Sequence, residues 1–165
     1  MPKLPKFDEE TTIAALELEQ MLAAYNRETD FNEGRDGPDF FTADCSVNVG
    51  AITFRGHEGV RKYFADRAEN IRKTEKDGIR TTRHSYANLA ITFENKNRAT
   101  LQYLIVTYAS GGKPPIMDAM TPVVIADARL ECRRDSDGQW RFVELHGAPV
   151  FIATQGPAQK AMIGR

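Results

Sequence analysis

Over residues 9–28, apolar positions recur at three- and four-residue spacing. Ala14, Leu18, Met21, Leu22 and Tyr25 fall on one side of a helix, with Glu17, Glu19 and Arg27 elsewhere. Asp8 stands where an N-cap belongs, ahead of an acidic first turn that suits the positive end of the helix dipole. Gly34, Gly37 and Pro38 then interrupt the pattern, leaving room for one short helical turn before Ala43. CSVNVGAITF reads as two short strands folded at Gly50 and Ala51. From Gly56 the helical period returns. Val60, Tyr63, Phe64, Ala68 and Ile71 make a second buried stripe, and the interleaved Arg, Lys, Asp and Glu residues read as its solvated side.

After Gly78 the period changes to two. Long strands are predicted over 81–94, 98–110, 119–134 and 139–148. ENKN and DSDG offer the Asn, Asp and Gly that tight hairpins need, and a Gly-Gly-Lys-Pro-Pro loop separates the middle pair. Strict alternation groups Leu89, Ile91 and Phe93 on one face of the first of these strands and His84, Tyr86, Asn88 and Thr92 on the other. It also places Val123, Ile125 and Asp127 together. Helices first and long antiparallel strands after argue for one α+β domain over 1–165, with a core of about 9–151 and a tail of mixed character. A strongly curved sheet closing over two helices leaves a cavity.

Composition narrows the function without naming it. The 165 residues carry a formal net charge of -1, with 41% apolar and 27% charged residues, so neither nucleic acid nor an anionic membrane is an expected partner. No run approaches the ~20 apolar residues of a membrane span, and MPKLPKFDEE lacks the apolar stretch of a secretory leader. Cys45 and Cys132 lie outside any CxxC spacing and read as small buried residues in a reducing compartment. The cytoplasm is the expected location. Among three histidines there is neither HxH nor HExxH, and no Ser or Cys sits in a nucleophile motif; no metal or other cofactor is expected.

Several segments, in order, carry a family resemblance. Tyr25 and Asp30 lie five apart near the end of the first helix, followed by DFFTADCSV, FRGHEGVRKYF, RHSYANLAITF and ADARLECRRDSDGQWRF. Over roughly 13–151 the chain resembles a SnoaL-like member of the nuclear transport factor two-like superfamily. That resemblance implies a cone-shaped curved antiparallel sheet wrapped around N-terminal helices, the cystatin-like α+β roll. In the branch holding scytalone dehydratase, bile-acid dehydratase and lindane dehydrochlorinase, an Asp at the helix end pairs with a His opening a strand. Those positions fall on Asp30 and His84, and the dehydratases' Tyr falls on Tyr25. Val49 stands where steroid isomerases of this fold have an Asp base, and the Asp-Arg-Asp set of its epoxide hydrolases is not matched.

A His–Asp pair suffices for elimination. A neutral imidazole takes the proton, and the carboxylate fixes the tautomer and stabilises the imidazolium that forms. Tyr25 would donate to a leaving oxygen or polarise a carbonyl. Each residue has a plainer reading: His84 bonded to a carbonyl, Asp30 in an Asx turn, Tyr25 in the core stripe. Asp127 either lines the pocket or sits at a sheet edge in water. His146 lines the cavity or flanks it, and Tyr86 shares the His84 face. The expected function is a cofactor-independent, dehydratase-like lyase acting on a small hydrophobic or polycyclic molecule. His84, Asp30 and Tyr25 would be catalytic, and Asp127, His146 and Tyr86 would bind substrate. The alternative is a non-catalytic ligand-binding protein or an assembly subunit, like the small subunits of ring-hydroxylating dioxygenases. Tyr103, Leu104, Ile105 and Val106, apolar on both faces of their strand, add the expectation of a homodimer through the outer sheet face.

Overall fold

The first helix, α1 (Glu9–Phe31), begins where its capping chemistry dictates: the Asp8 carboxylate accepts the Thr11 N–H at 2.8 Å, and Thr11 Oγ1 accepts the Asp8 N–H at 2.8 Å. The computed structural model describes residues 6–117, 120–153 and 162–164. α1 continues three residues past the predicted end at 28, so Asp30 belongs to its last turn and not to a loop turn. A 3-10 turn, Gly37–Phe40, carries Pro38 at its start and leads into β1 (Phe41–Val49). β2 (Ile52–Arg55) folds back on β1 across Gly50, whose φ of 57° suits a glycine.

α2 (Gly56–Thr74) follows, then β3 (Arg80–Asn95), β4 (Arg98–Gly111), β5 (Val124–Arg134) and β6 (Trp140–Ile152). The predicted start of the third long strand at Ala119 lies outside the described residues. Residues 120–123 are not strand; Pro122 has no N–H to give a ladder. β6 runs on through Pro149, beside a register shift, to Ile152.

The six strands form one curved, unclosed sheet in the order β2-β1-β6-β5-β4-β3, and the whole is an α+β cone-like fold. Neighbours are antiparallel except β1 and β6, which run parallel. The sheet is mainly antiparallel, as expected; the one exception arises because β1 pairs with the last strand of the chain.

Two bulges decide which side chains face inward. In β3, Ala87 pairs with Leu104 and Ala90 with Gln102, so two residues oppose one, and Asn88 takes a φ of 57°. The bulge puts Thr82, His84 and Tyr86 on the same concave face as Leu89, Ile91 and Phe93, which strict alternation assigns to opposite faces. In β6, Glu144 pairs with Glu131 and Phe142 with Cys132, leaving Val143 extra. Trp140 and Phe142 therefore point inward while Glu144 and His146 point out.

Ala14, Leu18 and Leu22 of α1, Val60 and Phe64 of α2, and Leu101, Tyr103, Leu130 and Phe142 of the sheet form one buried cluster. Each fully buried large side chain contributes about 1.5–3 kcal/mol. Phe64 packs so tightly under the 34–37 loop that a Cβ on Gly37 would lie 2.7 Å from its ring.

Candidate functional site at the end of α1

β3 is one edge of the sheet, and α1 lies against it. An edge strand leaves every second pair of backbone polar groups without a neighbour. Here Asp30 fills one such gap: its Oδ2 accepts the His84 backbone N–H at 2.9 Å. Its Oδ1 accepts the His84 Nδ1–H at 2.7 Å. An ionised carboxylate has no proton to donate, so Nδ1 carries the hydrogen and Nε2 keeps the lone pair. The Asp30 side chain is 5% exposed and that of His84 19%.

The helix end is pinned where this contact forms. Phe31, next to Asp30, lies between the guanidinium of Arg27 at 5.0 Å and that of Arg83, beside His84, at 4.1 Å from its ring centre.

Five residues is about 140° of helix, so Tyr25 and Asp30 sit on opposite flanks of the buried stripe. The Tyr25 ring meets Phe40, Phe41 and Phe142 edge-on at 5.6, 5.5 and 5.4 Å. Burial, with the Tyr63 and Tyr103 phenols adding to it, pushes the Tyr25 hydroxyl well above the ordinary phenol range, and Arg67 partly opposes this. The ring is held by these three edge contacts, and burial disfavours the phenolate. Tyr86 shares the concave face with His84; its ring meets Tyr103 edge-on at 6.0 Å and its hydroxyl donates to Glu19 at 3.4 Å.

Asp127 and His146 are elsewhere. Asp127 pairs with Leu104 and Ala148, between the buried Ala126 and Ala128, and is exposed on the convex face. His146, opposite Arg129, is exposed there too, turned outward by the Val143 bulge. Neither shares the concave face with His84, contrary to expectation.

Two residues without a motif of their own flank the pair. Asn26 Nδ2 and Thr82 Oγ1 are buried with no hydrogen-bond partner among the described residues. Asn26 is one helical turn before Asp30 and sits between Tyr25 and Asp30 around α1; Thr82 is two residues before His84 on the same face of β3. An unsatisfied buried polar group costs about 1–3 kcal/mol. Sequence reasoning misses both, and the signal that could find Asn26 is the four-residue spacing of Leu18, Leu22, Asn26 and Asp30, a stripe that turns polar at its end.

Other features contribute less. Grooves of about 640 Å³, beside Leu16 and Trp140, and about 280 Å³, beside Arg61 and Phe64, are not lined by Asp30 or His84. Among the described residues no three His, Cys, Asp or Glu side chains are grouped to hold a metal ion, and no helix is long and apolar enough to cross a membrane. Cys45 and Cys132 are buried free thiols, and burial pushes Cys132 up to about 12.

Two helices over a curved sheet, with a carboxylate–imidazole contact at the end of the first, define a small cone-like α+β protein. The chain belongs to the SnoaL-like domain family, whose model matches residues 10–146. Its fold is shared with a provisionally named scytalone dehydratase from Novosphingobium aromaticivorans, at 17% identity over 87% of this chain and 88% of that one, with a TM-score of 0.71. A protein of unknown function from Mycobacterium tuberculosis superposes with a TM-score of 0.72, at 17% identity over 94% and 88% of the two chains. A nuclear transport factor two-like protein of cystatin-like fold from Novosphingobium aromaticivorans gives 0.65, at 17% identity over 96% and 99%. A comparison with curated protein sequences finds no match.

Proposed function

We propose that this protein is a cofactor-independent lyase of the dehydratase type, in which His84 is the general base and Asp30 its orienter. The observation that carries this reading is the two-point grip of Asp30 on His84, at 2.7 Å to Nδ1 and 2.9 Å to the backbone nitrogen. It leaves Nε2 as the proton acceptor. Nε2 takes a proton from a carbon next to a carbonyl, Asp30 stabilises the imidazolium, and loss of hydroxide as water completes the elimination once a proton reaches the leaving oxygen. Tyr25 is the residue proposed to hydrogen-bond the carbonyl or the leaving oxygen. The half-buried Tyr63, Tyr86 and Phe54 around the same core favour a flat hydrophobic or polycyclic substrate.

The test is solvent deuterium exchange, which needs proton abstraction but no leaving group. The protein is incubated in D2O with aromatic and polycyclic hydroxy-ketones, and label uptake is read by mass spectrometry. His84→Ala should abolish catalysed exchange. A wild type that binds such compounds yet never exchanges them would establish instead a non-catalytic binding protein.

We also propose a homodimer through the convex face, where Leu104, Val106 and Ile125 lie half-buried and Tyr108 is 39% exposed. Sedimentation at micromolar concentration should give twice the chain mass; a monomer rules the dimer out.

A further inference from the structure

We infer that the hollow between α2 and the loop after α1 is a second site, which binds a small phosphorylated molecule through Arg35, Arg61 and Arg72. It is lined by neither Asp30 nor His84 and is independent of the lyase reading.

Two lines of side chains on α2 carry charge, and they differ. Arg61, Ala65, Ala68 and Arg72 follow one another at steps of four, three and four residues, so they share one line along the helix. Lys62, Asp66, Glu69 and Lys73 repeat that spacing about 100° round. There the lysines take both carboxylates, Lys62 pairing with Asp66 at 2.6 Å and Lys73 with Glu69 at 2.5 Å. Among the described residues no carboxylate lies within ion-pair distance of Arg35, Arg61 or Arg72. In the sequence both lines read as one wet side; only the pairing separates them.

Between the two arginines the line is small. Ala65 and Ala68 leave a hollow of about 280 Å³, lined as well by Phe64, by both α2 arginines, and by Glu33 and Arg35 of the loop. That volume is near the low end for small-molecule sites, about 300–1,000 Å³. The loop is packed hard onto α2: a Cβ on Gly34 would lie 2.3 Å from the Phe64 ring, and one on Gly37 2.7 Å. Gly34 takes a φ of 78°, and the turn it makes brings Arg35 to the helix. Packing that uses no charge thus gathers three exposed guanidiniums around one space. Set against the single carboxylate of Glu33, they leave two positive charges for a ligand. A phosphate monoester carries about −1.5 to −2 at pH 7, and guanidinium N–H groups meet its oxygens in pairs. Asp66 and Glu69 on the next line of α2, and Asp36 after Arg35, keep the positive field local. A membrane surface or a nucleic acid would need a broader one.

The experiment is calorimetric titration of the intact protein with phenyl phosphate and, separately, benzoate, at one ionic strength. The dianion should bind at least about fivefold tighter than the monoanion. Arg35→Met, Arg61→Met and Arg72→Met should each weaken phenyl phosphate by at least about fivefold, and Glu33→Gln, which removes the opposing charge, should tighten it. Lys62→Met changes the net charge by the same amount on the neighbouring line of α2, yet should leave the affinity within about twofold. His84→Ala should leave it unchanged. No binding of phenyl phosphate at millimolar concentration, equal binding of the two anions, or a loss from Lys62→Met as large as that from Arg61→Met would each overturn the inference. So would binding to anionic vesicles or duplex DNA without binding to phenyl phosphate.

Discussion

The two halves of α1 put the same geometry to opposite uses. In its first half the inward stripe is Ala14, Leu18 and Leu22, all within 2% of full burial, meeting Leu101, Leu130 and Phe142. In its last two turns the stripe becomes Asn26, Thr29 and Asp30, facing a strand that offers Thr82 and His84. The first half gains stability from close-packed apolar area. The second leaves polar atoms buried without partners, which lowers stability and makes sense where a ligand is to be held. One helix therefore anchors the fold at one end and presents the Asp30–His84 contact at the other.

The largest effect expected from this contrast is on rate. On a compound that the exchange screen identifies, His84→Ala should slow turnover by ~10²–10⁴-fold, the usual loss of a general base. Asp30→Asn should approach that loss with the fold intact. Its amide oxygen can still accept the backbone N–H of His84, but the other group is an NH2 that cannot accept from Nδ1. The ring is then driven to the wrong tautomer. Circular dichroism and single-turnover kinetics check both; an unfolded Asp30→Asn would make the carboxylate a structural brace only.

Leu22→Ala should show the reverse pattern. Truncating a fully buried leucine costs about 2–5 kcal/mol, whereas His84→Ala, which leaves one oxygen of the buried Asp30 carboxylate without its partner, should cost about 1–3 kcal/mol. Denaturant unfolding measures both. Equal losses would erase the distinction between the two halves.

Much of this arrangement is legible in the order of residues alone. The apolar stripe of α1, the change of period after Gly78 and the family pattern define the fold class, and the family pattern singles out Asp30 and His84, which the structure brings together. What alternation alone misses is parity. A bulge at Asn88 costs one residue, yet it turns Leu89, Ile91 and Phe93 onto the face of His84. Another at Val143 turns His146 outward. Asp127 fails for a different reason: its grouping with Ile125 is right, but nothing in a two-residue period says which face is concave. The β1–β6 parallel pairing is equally silent, since it joins strands at opposite ends of the chain.

A smaller effect, of opposite sign, belongs to Asn26. Replacing an unsatisfied buried amide with an apolar group of similar size relieves its desolvation cost, so Asn26→Leu should raise stability by about 1 kcal/mol. It should also weaken binding of any ligand that exchanges in the wild type. Thermal unfolding with and without that ligand checks both parts. A variant that is less stable would mean that Asn26 has a partner in the folded protein and no role in holding a ligand.

The least effect is expected where polar groups are already satisfied. In the β5–β6 turn, Arg141 donates to both Asp137 oxygens, at 3.0 and 2.7 Å, and the Gln139 N–H donates to one at 3.0 Å. These bonds, that of Arg141 foremost, hold the Asp137 carboxyl at about 2 against an ordinary 3.8. Because the folded value is depressed, the pair favours the folded state fully above the unfolded value, and the contribution fades as pH falls from about 4 through about 2. Asp137 is exposed, so salt and water screen the pair, and removing it should hardly move stability at neutral pH. Carbon-detected NMR should find Asp137 titrating well below the other exposed carboxylates, and Arg141→Met should return it to their range. An Asp137 that titrates normally in the wild type would mean that the turn is loose in solution. The contrast between a saturated ionic cluster at the surface and the unpartnered Asn26 and Thr82 at the end of α1 would then lose its reference point.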